Sequence, residues 1–258
     1  MTTPVRHRVD ELRRSIAARL EGAGVAASRA SGLAGTLLWY ESAGRPEFGV
    51  ARLPGWLERL KAGQVNPAVE GRVGRPEFAG TAIVDGAGGL APVVLARAAG
   101  IAMQKARETG AATVRVANLP ADGPAAEVAA EVAIGPYLTT IVGPGPSWTL
   151  ALPTADGLPL VYDSALAADV TPDPAAMAWL GALGASLVPG DGWLISVVTI
   201  HALESLAAFQ ERMGRLAGEV AGRPGWLVPE AWEAVRRGVR EEGGGLPERL
   251  IALLDVRG

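Results

Sequence analysis

A chain of 258 residues that is 49% hydrophobic and 20% charged has a globular balance and is long enough to bury its own core. Its net charge of −3 argues against a nucleic-acid backbone as partner, and the absence of cysteine removes disulfides, thiolate metal sites and a cysteine nucleophile together. The two histidines, His7 and His201, lie far apart, so a histidine-based zinc site is excluded and no metal is expected.

The polar start, and the interruption of every apolar run by Gly, Pro or charge, lead to the expectation of a cytoplasmic protein without a membrane span. Lys61 and Lys105 are the only lysines, and Ala, Gly and Pro abound. The arginines therefore reflect coding bias rather than a functional basic surface. Val9, Leu12, Ile16 and Leu20 recur at helical spacing up to Gly22, which predicts an amphipathic helix over 8–21 with a glycine stop. A second helix follows, with Ser28 or Ser31 placed to cap it and Leu33, Leu37 and Leu38 on its apolar side, until Gly44-Arg45-Pro46 interrupts. A third is predicted from about Glu47 to Gly63 through Phe48, Leu53, Trp56, Leu57 and Leu60. Pro54 inside it means either a kink or a fresh start.

Around residue 74 the texture changes. Residues 81–84 read as a strand, 85–89 as a turn, 90–109 as a long Ala-rich helix and 112–117 as a strand, a βαβ-like rhythm. Strand-like runs at 137–142, 148–152 and 158–162 follow between Pro/Gly turns, which makes the class α/β or α+β. A long apolar-faced helix is predicted over 194–213, with shorter ones at 229–240 and 246–254 around Gly243-Gly244-Gly245. The expected division is an N-terminal helical segment (1–74), a central sheet region (75–192) and C-terminal helices (193–258). Gly-Arg-Pro-Glu-Phe occurs at both 44–48 and 74–78, but no similarity extends beyond it, so it is no structural repeat.

Gly86-Ala87-Gly88-Gly89-Leu90-Ala91 lies between a strand and a helix and formally fits G-x-G-x-x-A, a phosphate-cradling turn. That reading needs an acid at the end of the next strand to hold a ribose, and this strand ends at Asn118-Leu119-Pro120. The segment reads better as a glycine-rich turn capped by Asp85. No G-x-x-x-x-G-K-[ST] or G-x-S-x-G motif occurs, and no His lies near a Ser, which leaves Ser/His/Asp catalysis without support.

Val50-Ala51-Arg52-Leu53-Pro54-Gly55-Trp56, with the later Gly63 and Asn66-Pro67, resembles a motif of the malate/L-lactate dehydrogenase family. That family includes ureidoglycolate, sulfolactate and Δ1-piperideine-2-carboxylate oxidoreductases. Its pattern is Asp, Gly, then Ser-His-Gly-Val-x-Arg-Leu-Pro-x-Tyr, and Glu41, Gly44, Gly49 and Arg52 stand at its Asp, Gly, Gly and Arg. The segments 83–90, 114–116, 160–165, 171–174 and 188–193 resemble further family segments in the same order. The resemblance implies a non-Rossmann fold with a mixed sheet, N- and C-terminal helices packed together, and sites formed across a homodimer. Seven Trp in a chain with little charge also leave apolar area for a partner.

The departures concern chemistry. Where the family has Ser-His-Gly this chain has Glu47-Phe48-Gly49, and where it has Asn-Ser-Asn-His-Phe-Gly this chain has residues 118–123, with Ala121 at the His. The Lys of the family's Lys-Gly turn is Asp191, its Tyr is Trp56, and the segments between Gly143 and Trp148 and between Ala168 and Thr171 are shorter. The missing stretches belong to the family's cofactor-binding part. Hydride transfer to a 2-keto acid or imine needs a proton donor, usually His, and Phe48 and Ala121 cannot donate. Glu47, Asp122, Tyr40 and Tyr162 are the candidate catalytic replacements by motif position. The resemblance gives Arg52 the substrate carboxylate, with Phe48, Trp56 and Asp163 as further substrate-side candidates. Phe48, Arg52 and Trp56 share i, i+4 spacing and hence one face if the helix is continuous. The alternative for Arg52 is a surface ion pair with Glu41 or Glu58. His201, on the apolar face of the predicted 194–213 helix, reads as a core or interface residue.

Three readings follow. One is a repurposed enzyme of specialised metabolism with a degenerate redox site, acting on a small carboxylate by cyclisation, isomerisation or elimination without a cofactor. Another is an NAD(P)H-dependent reductase of a 2-keto acid or cyclic imine with a substituted proton donor. The third is a catalytically dead binding or partner subunit.

Overall fold

The computed structural model describes residues 5–74, 78–119, 121–144, 147–167 and 192–229. They fall into two units, 5–68 and 69–229. In the first unit the Leu12, Ile16 and Leu20 stripe lies on α1 (Val5–Gly22), where all three are buried. A short turn closed by Val25 N–H donating to Leu20 O (3.0 Å) leads into α2 (Ala27–Ser42), giving a helical hairpin. Neither Ser28 nor Ser31 caps α2, because both lie inside it and the N-cap is Ala26. Ala30, Leu33, Ala34 and Leu37 are its buried side. Burying a Leu or Ile side chain stabilises by about 1.5–3 kcal/mol, so this seam holds the hairpin together.

The third helix is a fresh start, not a continuation from Glu47. A 3₁₀ turn, Val50–Arg52, precedes α3 (Leu53–Lys61), with Pro54 in the first turn, where its missing N–H is not needed. Leu53, Trp56 and Leu60 are the buried face of α3.

The second unit is built on one mixed sheet. Its strands among the described residues are β1 (Arg72–Val73), β2 (Thr81–Asp85), β3 (Ala111–Ala117), β4 (Tyr137–Gly143), β5 (Ser147–Leu152), β6 (Leu160–Asp163), β7 (Trp193–Thr199) and β8 (Trp226–Leu227). Their order is β1-β2-β3-β7-β4-β5-β6-β8. Only β2 and β3 pair in parallel, joined by the crossover helix α4 (Ala91–Thr109), and every other pair is antiparallel. This is the mixed, non-Rossmann α/β sheet that the sequence leads one to expect. Strand alternation puts Val84, Val114, Val116, Ile195 and Val197 on one buried face. Against it lie α4, whose Ala98, Ala102 and Ala106 allow close approach, and α5 (Ala126–Ala133). On the opposite face α6 (Leu206–Val220) packs Phe209, Ala217 and Val220 against Leu152 and Leu160.

The predicted helix over 194–213 is a correction. Residues 193–199 form β7, in the middle of the sheet, and the chain passes through a 3₁₀ turn, Ile200–Ala202, before α6 begins behind its Ser205 cap, which accepts from Ala208 N–H at 3.3 Å. Ile195, Val197, Val198 and Thr199 are β-branched and alternate in burial, and both traits favour strand over helix. His201 is consequently exposed, not on a buried helical face. The helices expected at 229–240 and 246–254, the packing of the two chain ends, and the segments 171–174 and 188–191 lie outside the described residues. No helix among the described residues is long and apolar enough to cross a membrane.

Gly143, at the end of β4, is fixed by packing. A Cβ there would lie 2.5 Å from Cζ3 of Trp193. That ring is fully buried, and its Nε1–H donates to Leu119 O at 3.1 Å, so it has nowhere to move. Gly143→Ala is expected to lower stability by about 1–3 kcal/mol, read as a fall in the urea midpoint at constant slope. An unchanged midpoint would show that the indole is not seated on this glycine.

Candidate functional site

Arg52 is set by a short run of local contacts in the first unit. After α2 ends, the chain turns through 43–49, and Glu41 Oε1 reaches back to accept from Val50 N–H at 2.9 Å. This pins the start of the 3₁₀ turn that ends in Arg52. The approach is close enough to require glycine next door, since a Cβ on Gly49 would stand 2.6 Å from the same Oε1. Arg52 is half-buried at the head of α3. Phe48 belongs to the preceding turn and Trp56 to α3 proper, so the three do not share one helix face. Trp56 is 4% exposed, and its Nε1–H has no acceptor among the described residues. Tyr40 is buried, with its ring at 4.8 Å from Trp39 and 6.1 Å from Phe48. Glu47 is exposed, 4.0 Å from Arg45. Tyr40, Glu47 and Phe48 are thus brought into one turn region of the first unit, whereas Asp122, Tyr162 and Asp163 belong to the second.

In the second unit Asp163, at the end of β6, has no exposed surface. Its Oδ2 accepts from Thr149 Oγ1 (2.7 Å) and Ala125 N–H (3.2 Å), and its Oδ1 from Ala165 N–H (2.9 Å). Ala125 is the N-cap position of α5, so Asp163 caps that helix from across the sheet. Burial raises its pKa to about 6, against the lowering by Thr149, Ala165, Ala125 and Ala126. Neither α5 nor the Thr149 partner was legible in the sequence, because 126–133 offers only Ala, Val and Glu without a capping side chain of its own. Tyr162 precedes Asp163 on the opposite face and packs on Trp226 at 5.2 Å. Burial, then the nearby Asp163 charge, push its phenol above the ordinary value, which makes it a poorer acid near neutrality. Asp122 lies in the loop leading to α5, half-buried, with Oδ2 turned away from solvent.

The glycine-rich turn after β2 has its amides committed. Gly86 N–H donates to Ala117 O (2.7 Å), Ala87 to Asp85 Oδ1 (2.9 Å), Gly88 to Asn118 O (3.2 Å) and Gly89 to Gly86 O (2.8 Å). Asn118 Nδ2–H donates to the same Asp85 Oδ1 at 3.0 Å, and the turn is wound through left-handed Ala87 and Asn118. A pyrophosphate needs amides aimed outward, so this turn does not fit one. No group of three or more His, Asp or Glu side chains able to hold a metal occurs among the described residues.

The sequence pattern described as Malate/L-lactate dehydrogenase matches residues 7–134. No curated protein matches the sequence significantly. Among solved structures, a dehydrogenase from Sinorhizobium meliloti is similar at TM-score 0.77 and 24% identity, over 98% of this chain and 98% of that one. Malate dehydrogenase from Pyrococcus horikoshii OT3 is similar at 0.75 and 19%, over 98% of this chain and 93% of that one. Sulfolactate dehydrogenase from Methanocaldococcus jannaschii is similar at 0.74 and 20%, over 95% and 94%.

The Asp163 cap has a pH signature. Unfolded, this carboxyl ionises near 3.8, and in the fold near 6, so between those values the folded state holds a proton that the unfolded chain has lost. The contribution is fully present below about pH 4 and is lost as pH rises through 6, by about 3 kcal/mol in all. Asp163→Asn keeps the shape and removes the titration. The difference between wild type and this variant in chemical-denaturation stability should therefore change by that amount between pH 4 and pH 7. A pH-independent difference would mean that Asp163 ionises at its ordinary value.

Proposed function

Because this chain belongs to the malate/L-lactate dehydrogenase-like family as a divergent member, we propose that it keeps that family's small-carboxylate binding and has given up its hydride chemistry. The observation that supports this is the Arg52 turn. Glu41 and Gly49 hold the backbone leading to a half-buried guanidinium, while the position where the resemblance places a histidine carries Phe48, which cannot move a proton. A planar guanidinium binds a carboxylate through two parallel hydrogen bonds, and aromatic neighbours favour a flat acid. On this reading the reaction is non-redox, a cyclisation, isomerisation or elimination, and needs no nicotinamide. The carboxyl group in the same turn as Phe48 is that of Glu47, and this reading gives it any proton transfer. The protein works as a homodimer.

Calorimetry with NADH, NADPH and a panel of 2-keto, imino and aromatic acids tests this on wild type and Arg52→Ala. An acid should bind wild type and lose about 2–5 kcal/mol in the variant, as expected for a buried charge pair that loses one partner. Neither nicotinamide should bind at micromolar concentration. Micromolar binding of either would establish the NAD(P)H-dependent reductase instead, and an acid held equally by both proteins would remove Arg52 from the site.

A further inference from the structure

We propose that the sheet face over β2 and β3, opposite α4, is the contact surface between two copies of this chain, joined by reciprocal pairs between Arg115 and the partner's Asp85. On this face α6 and its cluster cover the far strands through Leu138, Leu150, Leu152 and Leu160. Over β2 the face is open, and Ile83 is 53% exposed at its middle. Beside Ile83 in the parallel ladder stands Arg115. Its Nε is buried with no acceptor, and no hydrogen bond or ion pair engages its side chain among the described residues. A buried donor of a charged group left unmatched costs more than a neutral one, so the position calls for an anion from outside the unit.

The same face carries that anion. Asp85 lies beside Ala117, one pleat further along β2 than Ile83. Both of its hydrogen bonds, from Ala87 N–H and Asn118 Nδ2–H, fall on Oδ1, which leaves Oδ2 without a donor among the described residues. Those two bonds, from Asn118 and Ala87, and the positive charge of Arg72, its cross-strand neighbour on β1, hold the carboxyl below its ordinary pKa, so it is charged.

The ladder register makes the four positions self-complementary. Ile83 pairs with Arg115 and Asp85 with Ala117, so Arg115 and Asp85 are one diagonal of the patch and Ile83 and Ala117 the other. When two sheets stack face to face, a two-fold axis lying between them along the Ile83–Ala117 diagonal exchanges the ends of the charged diagonal. Each Arg115 then meets the partner's Asp85, twice, and the two Ile83 side chains meet near the axis, as an isologous interface requires. Arginine is also among the side chains enriched at the energetic centre of interfaces.

This inference rests on the homodimer reading, and the experiment separates the two. Light scattering and sedimentation are run on wild type, Arg115→Glu and Ile83→Cys, with circular dichroism to confirm folding. Arg115→Glu places like charges at both reciprocal contacts and should weaken dimerisation at least tenfold. Ile83→Cys, in a chain with no other cysteine, should give a disulfide-linked dimer on mild oxidation, an outcome that stands even if Arg115→Glu fails to fold. A wild-type monomer at micromolar concentration would overturn both readings. A wild-type dimer that survives Arg115→Glu, or that does not cross-link through residue 83, would keep the dimer and overturn this face.

Discussion

A carboxylate without solvent organises one end of the sheet. Asp163 has no exposed surface, and taking an isolated carboxylate out of water costs several kcal/mol unless donors replace the lost hydration. Here the donors come from three directions: the Thr149 hydroxyl on β5, the first amides of α5, and the amide that opens the short helix after β6. Its own N–H goes to Gly225 O, just ahead of β8. Side chain and backbone of this one residue therefore fix two strands, a helix start and a chain reversal relative to one another. The α5 terminus also favours negative charge through its aligned peptide dipoles. Burial nevertheless outweighs these donors, so the group is held at the edge of ionisation rather than firmly charged.

That arrangement sorts the candidate acids by access as well as by pKa. Among the described residues Asp163 is the carboxyl moved closest to neutrality, yet a side chain with no exposed surface has no route for delivering its proton to a substrate. Tyr162 points to the other face and is moved away from neutrality. A perturbed pKa is a sign of function only where the group also opens onto a cleft. In Asp163 the same perturbation is the cost of capping a helix from across a sheet.

Much of this was legible in the sequence where periodicity is unambiguous. The Leu12/Ile16/Leu20 stripe has one period only, and β2-α4-β3 shows strand alternation, a glycine turn and a long Ala-rich helix in succession. Residues 193–199 are hard to place from sequence because five of the seven are apolar and the apolar character runs on through Ile200, Ala202 and Leu203, so the strand alternation marked by Ser196 is weak against a helical period. The supposed common face of Phe48, Arg52 and Trp56 failed for a related reason. Spacing of four residues means a shared face only within a continuous helix, and Pro54 begins a new one. Asp163 was picked out by its motif, but its burial was not, since the Thr149 and Ala125 donors are distant in the chain and ordinary in type.

The glycine-rich turn shows why a motif needs its hydrogen-bond ledger before it is given a ligand. Gly86-Ala87-Gly88-Gly89 has the residues of a phosphate loop, but glycine serves equally where two backbones must touch, and here the turn leans on Ala117 and Asn118 at the end of β3. Each amide that finds an acceptor inside the fold is lost to an anion outside it. The deciding residue is Asp85, which supplies a negative charge where a phosphate site needs positive potential and draws in Ala87 and Asn118 through one oxygen. In a parallel pair with a crossover this tight, the turn is built to hold β2 and β3 together.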